Sequence, residues 1–236
     1  MNVIASDFTP EAEIAGLTGV IFDCDGVILD SFGSNRHFYN LIRARFGLPP
    51  MTPSQEAFVH AHPVDRSLAH VVPPERLPEA LAVSKALDYR EVLPHVRLYE
   101  GVIELLGSLR ELGLKLAMNT NRTSTIDLVF EHFGLRGYFQ PVITANLVAN
   151  PKPHPESVQR ILADWGSAPH EVAYIGDSEL DLQAAAGASV RFWAYRNEAL
   201  AARLHIADFH ALKRRIMASY GAARGITDTD TDRTSL

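Results

Sequence analysis

Apolar residues fall along this chain in two periods. Short, mostly apolar stretches at 20–22, 115–120, 172–177 and 190–195 read as buried strands of a parallel sheet, the second and third ending in polar residues. A shorter one is expected at 141–144. Between them, apolar residues recur at helical spacing over 102–112, 124–133, 155–165 and 180–186. Gly113, Gly134 and Gly166 stand where three of these helices should stop. Strands alternating with helices predict an α/β fold. Its core is a Rossmann-like parallel sheet of five or more strands, with helices on both faces. Right-handed crossovers then bring the carboxyl ends of the strands to one edge.

One stretch breaks the alternation. Nothing from 34 to 96 has the pattern of a parallel strand. A helix is expected at 35–45, with Phe38, Leu41, Ile42 and Phe46 on one face, ended by Gly47-Leu48-Pro49-Pro50. Thr52-Pro53 opens another. After Pro63, Pro73 and Pro74, a longer helix is expected over 76–92. The chain thus divides into a lead-in (1–16), a core (17–32 and 98–220), a small all-helical insertion (33–97) and a tail (221–236) whose Thr and Asp content predicts disorder. The sequence carries no internal repeat.

Composition narrows the function classes. Hydrophobic residues are 47% of the 236 and charged residues 21%, as in ordinary globular proteins. No apolar run reaches the roughly 18 residues of a membrane span, and the first residues lack the basic start of a secretory signal. Cys24 is the sole cysteine, which fits a reducing cytoplasm. A net charge of −6 argues against nucleic acid as a partner, and Lys213-Arg214-Arg215 reads as a solvated helix face. The expectation is a cytoplasmic protein, a monomer or homodimer, acting on a small molecule.

Four polar signals end strands or lie in adjacent loops. They are Asp23-Cys24-Asp25-Gly26, Thr120-Asn121, Lys152-Pro153-His154-Pro155 and Gly176-Asp177-Ser178-Glu179-Leu180-Asp181. Each has an ordinary reading taken alone: a solvated turn, a helix cap, a surface lysine, and first-turn acids favoured by the helix dipole. Together, at one sheet edge, they suit phosphoryl transfer. Acids at i and i+2 of an extended stretch point to one side, and Gly26 lets the chain bend away. A carboxylate can attack phosphorus, a second can move the proton, and clustered Asp oxygens bind Mg²⁺. Hydroxyl, amide and lysine groups can hold the phosphoryl oxygens.

On these motifs the chain resembles the haloacid dehalogenase-like superfamily over about 20–195, in the subgroup with a helical cap after the first strand. It is similar to the phosphoglycolate phosphatase and β-phosphoglucomutase branch. The resemblance implies a Mg²⁺-dependent phosphatase acting on a small phosphorylated metabolite, phosphoglycolate-like or a sugar phosphate, through an aspartyl-phosphate. It implies Asp23 as nucleophile and Asp25 as general acid/base. Thr120, Asn121 and Lys152 would bind the phosphoryl group. Asp23, Asp25 (by its backbone carbonyl), Asp177 and Asp181 would serve the metal, Asp181 through water. Residues 27–31 would be a flexible turn into the cap. A phosphosugar mutase with the same nucleophile, or a non-catalytic binding module on the same fold, are the alternatives. Asp25 separates the chain from carbon–halogen-cleaving relatives, which lack that acid. Lys85, the lone lysine of the insertion, is the position an imine-forming phosphonatase would need. The early Gly187 leaves the part played by Asp181 open. His60 and His62 read as a satisfied or solvent-facing pair rather than a metal site. Asn35, Arg36, His37, Arg66 and Arg97 are candidates to read the substrate.

Overall fold

Strand β1 (Gly19–Phe22) is buried along its whole length and pairs in parallel with a strand on each side. The computed structural model describes residues 13–223; residues 1–12 of the lead-in and 224–236 of the tail lie outside the described residues. Beyond β1, the sheet takes in β4 (Lys115–Thr120), β5 (Val142–Thr144), β6 (Val172–Gly176), β7 (Arg191–Tyr195) and β8 (Leu204–Ile206). The order is β5-β4-β1-β6-β7-β8, and every pairing is parallel. The α/β expectation therefore holds, with six strands. The sixth, β8, has no apolar run to announce it. Leu204 and Ile206 are buried while His205 faces solvent, the alternation of a short edge strand.

Register shows how the two faces are filled. Ala117, Ile21, Tyr174 and Phe192 lie side by side across four strands. They pack with Val158, Ile161 and Leu162 of a helix at Glu156–Trp165 and with Ala184 and Ala185 of another at Glu179–Gly187. Val20, Phe22, Trp193 and Tyr195 are the alternate positions and point to the opposite face. There Tyr195 stacks on Phe209 with centroids 4.3 Å apart. Phe209 opens the final helix, Phe209–Ala223, which runs past the expected core boundary. Arg214 and Arg215 are exposed on it between buried Leu212 and Ile216.

The chain divides into two compact units. One comprises the sheet residues up to Ile28, Tyr99–Thr123 and Arg136 onward. The other is Leu29–Leu98 with Ser124–Leu135. In the second unit, α1 (Phe32–Arg45), α2 (Pro53–Ala61), α3 (Val64–Val71) and α4 (Leu77–Ala86) share a core that includes Tyr39, Ile42, Val59, Leu68, Val71 and Ala80. Thr52 and Gln55 form a reciprocal cap on α2, with Pro53 in its first turn.

One local expectation is corrected. The long helix over 76–92 stops at Ala86. Leu87 is extended, and the Asp88 carboxylate accepts from Arg90 N, which starts a separate 3₁₀ turn. At 27–31, the expected turn into the cap, Val27, Ile28 and Leu29 are buried, and β2 (Leu29–Asp30) pairs antiparallel with β3 (Arg97–Leu98).

Candidate active site

Asp23 is the first residue past β1, and its amide donates to Ile175 O at 2.9 Å. The sheet thus aims its carboxylate out of the carboxyl edge, where it remains almost fully buried. On the neighbouring strand, β6 ends at Gly176, and Asp177 follows. Gly26 answers to that neighbour. It has φ +77°, and a Cβ there would lie 1.9 Å from Asp177 Oδ2. Only glycine lets the turn after Asp25 pass the second acid so closely.

Lys152 joins the pieces. Its Nζ donates to Asp23 Oδ1 at 2.7 Å and to Asp181 Oδ1 at 2.6 Å, and all three side chains are buried. The loop that carries it is tied to β4: Asn121 Nδ2 donates to Lys152 O at 3.1 Å. Asp181 is the most enclosed of the group. Its Oδ1 also accepts from Tyr174 Oη at 2.9 Å, while its Oδ2 accepts from the Ser178 amide and hydroxyl. Ser178 caps the helix at Glu179–Gly187, so the helix start and Asp181 hold each other. Both Asp181 oxygens are thus engaged, Oδ1 by Lys152 and Tyr174 and Oδ2 by Ser178.

Oxygens of Asp23, Asp177 and Asp181 all lie within 4.8 Å of one another. Three carboxylates face a single lysine, and the charges do not balance. Burial, then the Asp181 charge, push the Asp23 carboxyl well above its usual range against the pull of Lys152. Burial and Asp181 likewise raise Asp177 to about 7. Burial pulls the Lys152 ammonium down, but Asp181 and Asp23 outweigh it and hold it well above its usual value. A buried donor set of hard oxygens with surplus negative charge fits a divalent cation such as Mg²⁺. Asp23 and Asp177 are the acids with oxygens to offer it.

Asp25 is placed differently from the other acids. Its carboxylate stands outside this cluster, in the fork of Arg122. Nε donates to Oδ2 and Nη2 to Oδ1, both at 2.6 Å. The resemblance implies the backbone carbonyl of Asp25, not this carboxylate, for the metal. Thr120, buried at the end of β4, accepts from the Arg122 amide at 3.1 Å. Its hydroxyl thus shapes the turn that carries Asn121 and Arg122. Cys24, between the two acids, is buried, and burial keeps its thiol protonated.

The residues proposed to read a substrate belong to the other unit. Asn35 Nδ2 lies 3.3 Å from His60 Nδ1, and the His37 and His95 rings stack at 3.7 Å. His62 stacks on Phe58 and bonds its backbone oxygen, so His60 and His62 face different partners and share no metal cluster among the described residues. Arg36, Arg66, Arg97 and Lys85 are exposed.

Arg122 and Tyr174 were not among the residues singled out from sequence. Arg122 had one signal, its place directly after Thr120-Asn121. Tyr174 had another: a hydroxyl in an otherwise apolar strand needs a buried partner. A cavity of about 560 Å³ lies at the other edge of the sheet, beside Lys115 and Trp165. There Lys115 Nζ donates to Trp165 O and Trp165 Nε1 to Gln140 O, so these groups serve the fold. No helix among the described residues is long and apolar enough to cross a membrane.

Comparison with known proteins agrees with this geometry. Residues 20–195 match the family model described as haloacid dehalogenase-like hydrolase. A phosphoglycolate phosphatase of Rhodobacter capsulatus is 35% identical over 206 residues, covering 81% of this chain and 91% of that protein. Another, from Chromobacterium violaceum, is 31% identical over 184 residues, covering 73% and 82%. Among solved structures, a HAD-superfamily hydrolase of subfamily IA, variant 1, from Geobacter sulfurreducens superposes with a TM-score of 0.78. It is 36% identical, over 85% of this chain and 97% of that one. The chain belongs to the haloacid dehalogenase-like hydrolase family, and is an enzyme of its phosphatase kind.

Proposed function

We propose that the chain hydrolyses a small phosphate monoester through a phosphorylated Asp23, with Mg²⁺ as cofactor. The observation that carries this is the buried ammonium of Lys152, bonded at once to Asp23 and Asp181 beside Asp177. A cation bound by Asp23 and Asp177 supplies the positive charge that lets a carboxylate approach a dianionic phosphoryl group.

The chain's own groups divide the remaining work. Asp23 Oδ attacks phosphorus, and the bond from phosphorus to the leaving oxygen breaks as that oxygen takes a proton from Asp25. A water then attacks the aspartyl-phosphate and gives its proton to the Asp25 carboxylate, so that inorganic phosphate leaves and Asp23 is restored. Lys152 steadies the negative oxygens throughout. Thr120 and Asn121 line the end of β4 as hydrogen-bonding partners for the phosphoryl oxygens.

The substrate class in view is a phosphoglycolate-like ester or a sugar phosphate. The names of the Rhodobacter and Chromobacterium relatives support water as the acceptor. Release of inorganic phosphate, rather than an isomeric phosphosugar, distinguishes this reading from a mutase. The direct test is Asp23→Asn, which changes one buried atom. Turnover should fall by at least about 10³-fold, with far-UV dichroism unchanged and no label retained on the protein after acid quench. Phosphatase activity equal to the native enzyme would remove Asp23 from the chemistry.

A further inference from the structure

The Asp25–Arg122 pair presents a conflict that the proposed chemistry must resolve. Asp25 has to give a proton to the leaving oxygen, yet both its oxygens are engaged by the two parallel bonds of a guanidinium fork. While the fork holds, neither carboxylate oxygen is free to meet a leaving group. Arg122 cannot drift off with it. Its amide is bonded to Thr120 Oγ1, and its backbone oxygen accepts from Ala145 N at 3.1 Å. The Arg122 side chain is 11% exposed and that of Asp25 39%, so the carboxylate is the outward and more readily solvated member.

We propose that Arg122 is a specificity-determining residue whose fork passes from Asp25 to a carboxylate carried by the substrate. This rests on the reading of Asp25 as the acid/base. The leaving oxygen must come within hydrogen-bond reach of Asp25, and Arg122 already touches Asp25. A carboxylate one or two carbons beyond the ester oxygen therefore arrives at the same fork. It is planar and anionic like the Asp25 group it replaces, so the two bonds are remade and not lost. The exchange frees an Asp25 oxygen for the leaving group. Binding energy from a part of the substrate that does not react is thereby spent on readying the catalytic acid. A neutral ester offers nothing to the fork and leaves Asp25 held.

The test separates binding from turnover. With Mg²⁺ present, calorimetry on the Asp23→Asn protein gives the affinity for 2-phosphoglycolate and for ethyl phosphate, with Arg122 intact and as Arg122→Met. Steady-state kinetics on the same two esters follow with Asp23 restored. With Arg122 intact, the acid-bearing ester is favoured by about 10²-fold, the size of a charge-assisted hydrogen-bonded pair. In Arg122→Met that preference collapses towards one, while kcat for ethyl phosphate rises because Asp25 is released. Arg122→Lys, a point charge without the fork, retains only part of the preference. An unchanged ratio overturns the proposal. So does an equal loss on both esters, which would make Arg122 a general positioner of the site, and so does failure of 2-phosphoglycolate to bind. Undiminished turnover by Asp23→Asn would instead sink the phosphorylated-Asp23 reading, and the binding ratio would still report on Arg122.

Discussion

Two ion pairs, formed by acids two residues apart in sequence, behave as opposites in this fold. Asp23 meets Lys152 inside the protein, with Asp181, Tyr174 and Ser178 closing the network behind it. Asp25 meets Arg122 where its own side chain is 39% exposed. The first pair cannot come apart without leaving a charge in a water-poor place, so it is assembled before any ligand arrives. The second has one member, Asp25, that meets water when it lets go, while Arg122 needs another anion in its place. Preassembly suits a nucleophile, whose position sets the reaction geometry. Exchange suits a group that must hold a proton at one step and release it at another.

The largest expected effect comes from breaking the buried pair. Lys152→Met removes the lone cation among three acids, and chemical denaturation at pH 8 should show about 3–5 kcal/mol less stability. The loss should be smaller at pH 5, where Asp177 takes up a proton. Phosphate release should fall to background in the same variant.

A second expectation concerns the surplus charge itself. Asp177 in the fold titrates at about 7, above its value of 3.8 when unperturbed. An acid raised in this way carries more proton in the fold than when unfolded. Its contribution to stability is complete below the unfolded value and is lost as pH rises through the folded one. In EDTA, the melting temperature should drop by roughly 5 °C between pH 5 and pH 8. Mg²⁺ should restore most of that at pH 8 and little at pH 5. A melting temperature that rises over this range would contradict the charge balance described for the cluster.

Smaller effects sharpen the contrast. Tyr174→Phe deletes one hydroxyl from Asp181, and the unfolding free energy should fall by about 1–2 kcal/mol, with kcat reduced and KM nearly unchanged. Arg76–Glu79, 3.0 Å apart with both side chains more than half exposed, is a pair of the third kind. Arg76→Ala should move the denaturation midpoint by no more than about 0.5 kcal/mol. An effect as large as that of Tyr174→Phe would show that burial is not what separates these pairs.

How far the chain could be read from its letters varies with the range of the interaction. Parallel strands buried on both faces must be continuously apolar, so β1, β4, β6 and β7 were visible as runs, and the motif acids were visible as interruptions at their ends. The break after Ala86 was hidden, because Asp88 reads as one more polar helix position until its carboxylate is seen to cap Arg90. β8 was hidden because three residues at a sheet edge carry too little pattern to stand out.

The order and chemistry of the four motifs, the alternation that forces a parallel sheet and the helical character of the insertion are local properties, written in spacing and side-chain type. That Lys152 lies between Asp23 and Asp181, that Tyr174 reaches Asp181, and that Arg122 grips Asp25 across 97 positions of chain belong to the folded molecule alone. Periodicity says which way a side chain leaves its own strand or helix. Only the stacking of strands into one sheet decides which charges then meet, and how much water is left between them.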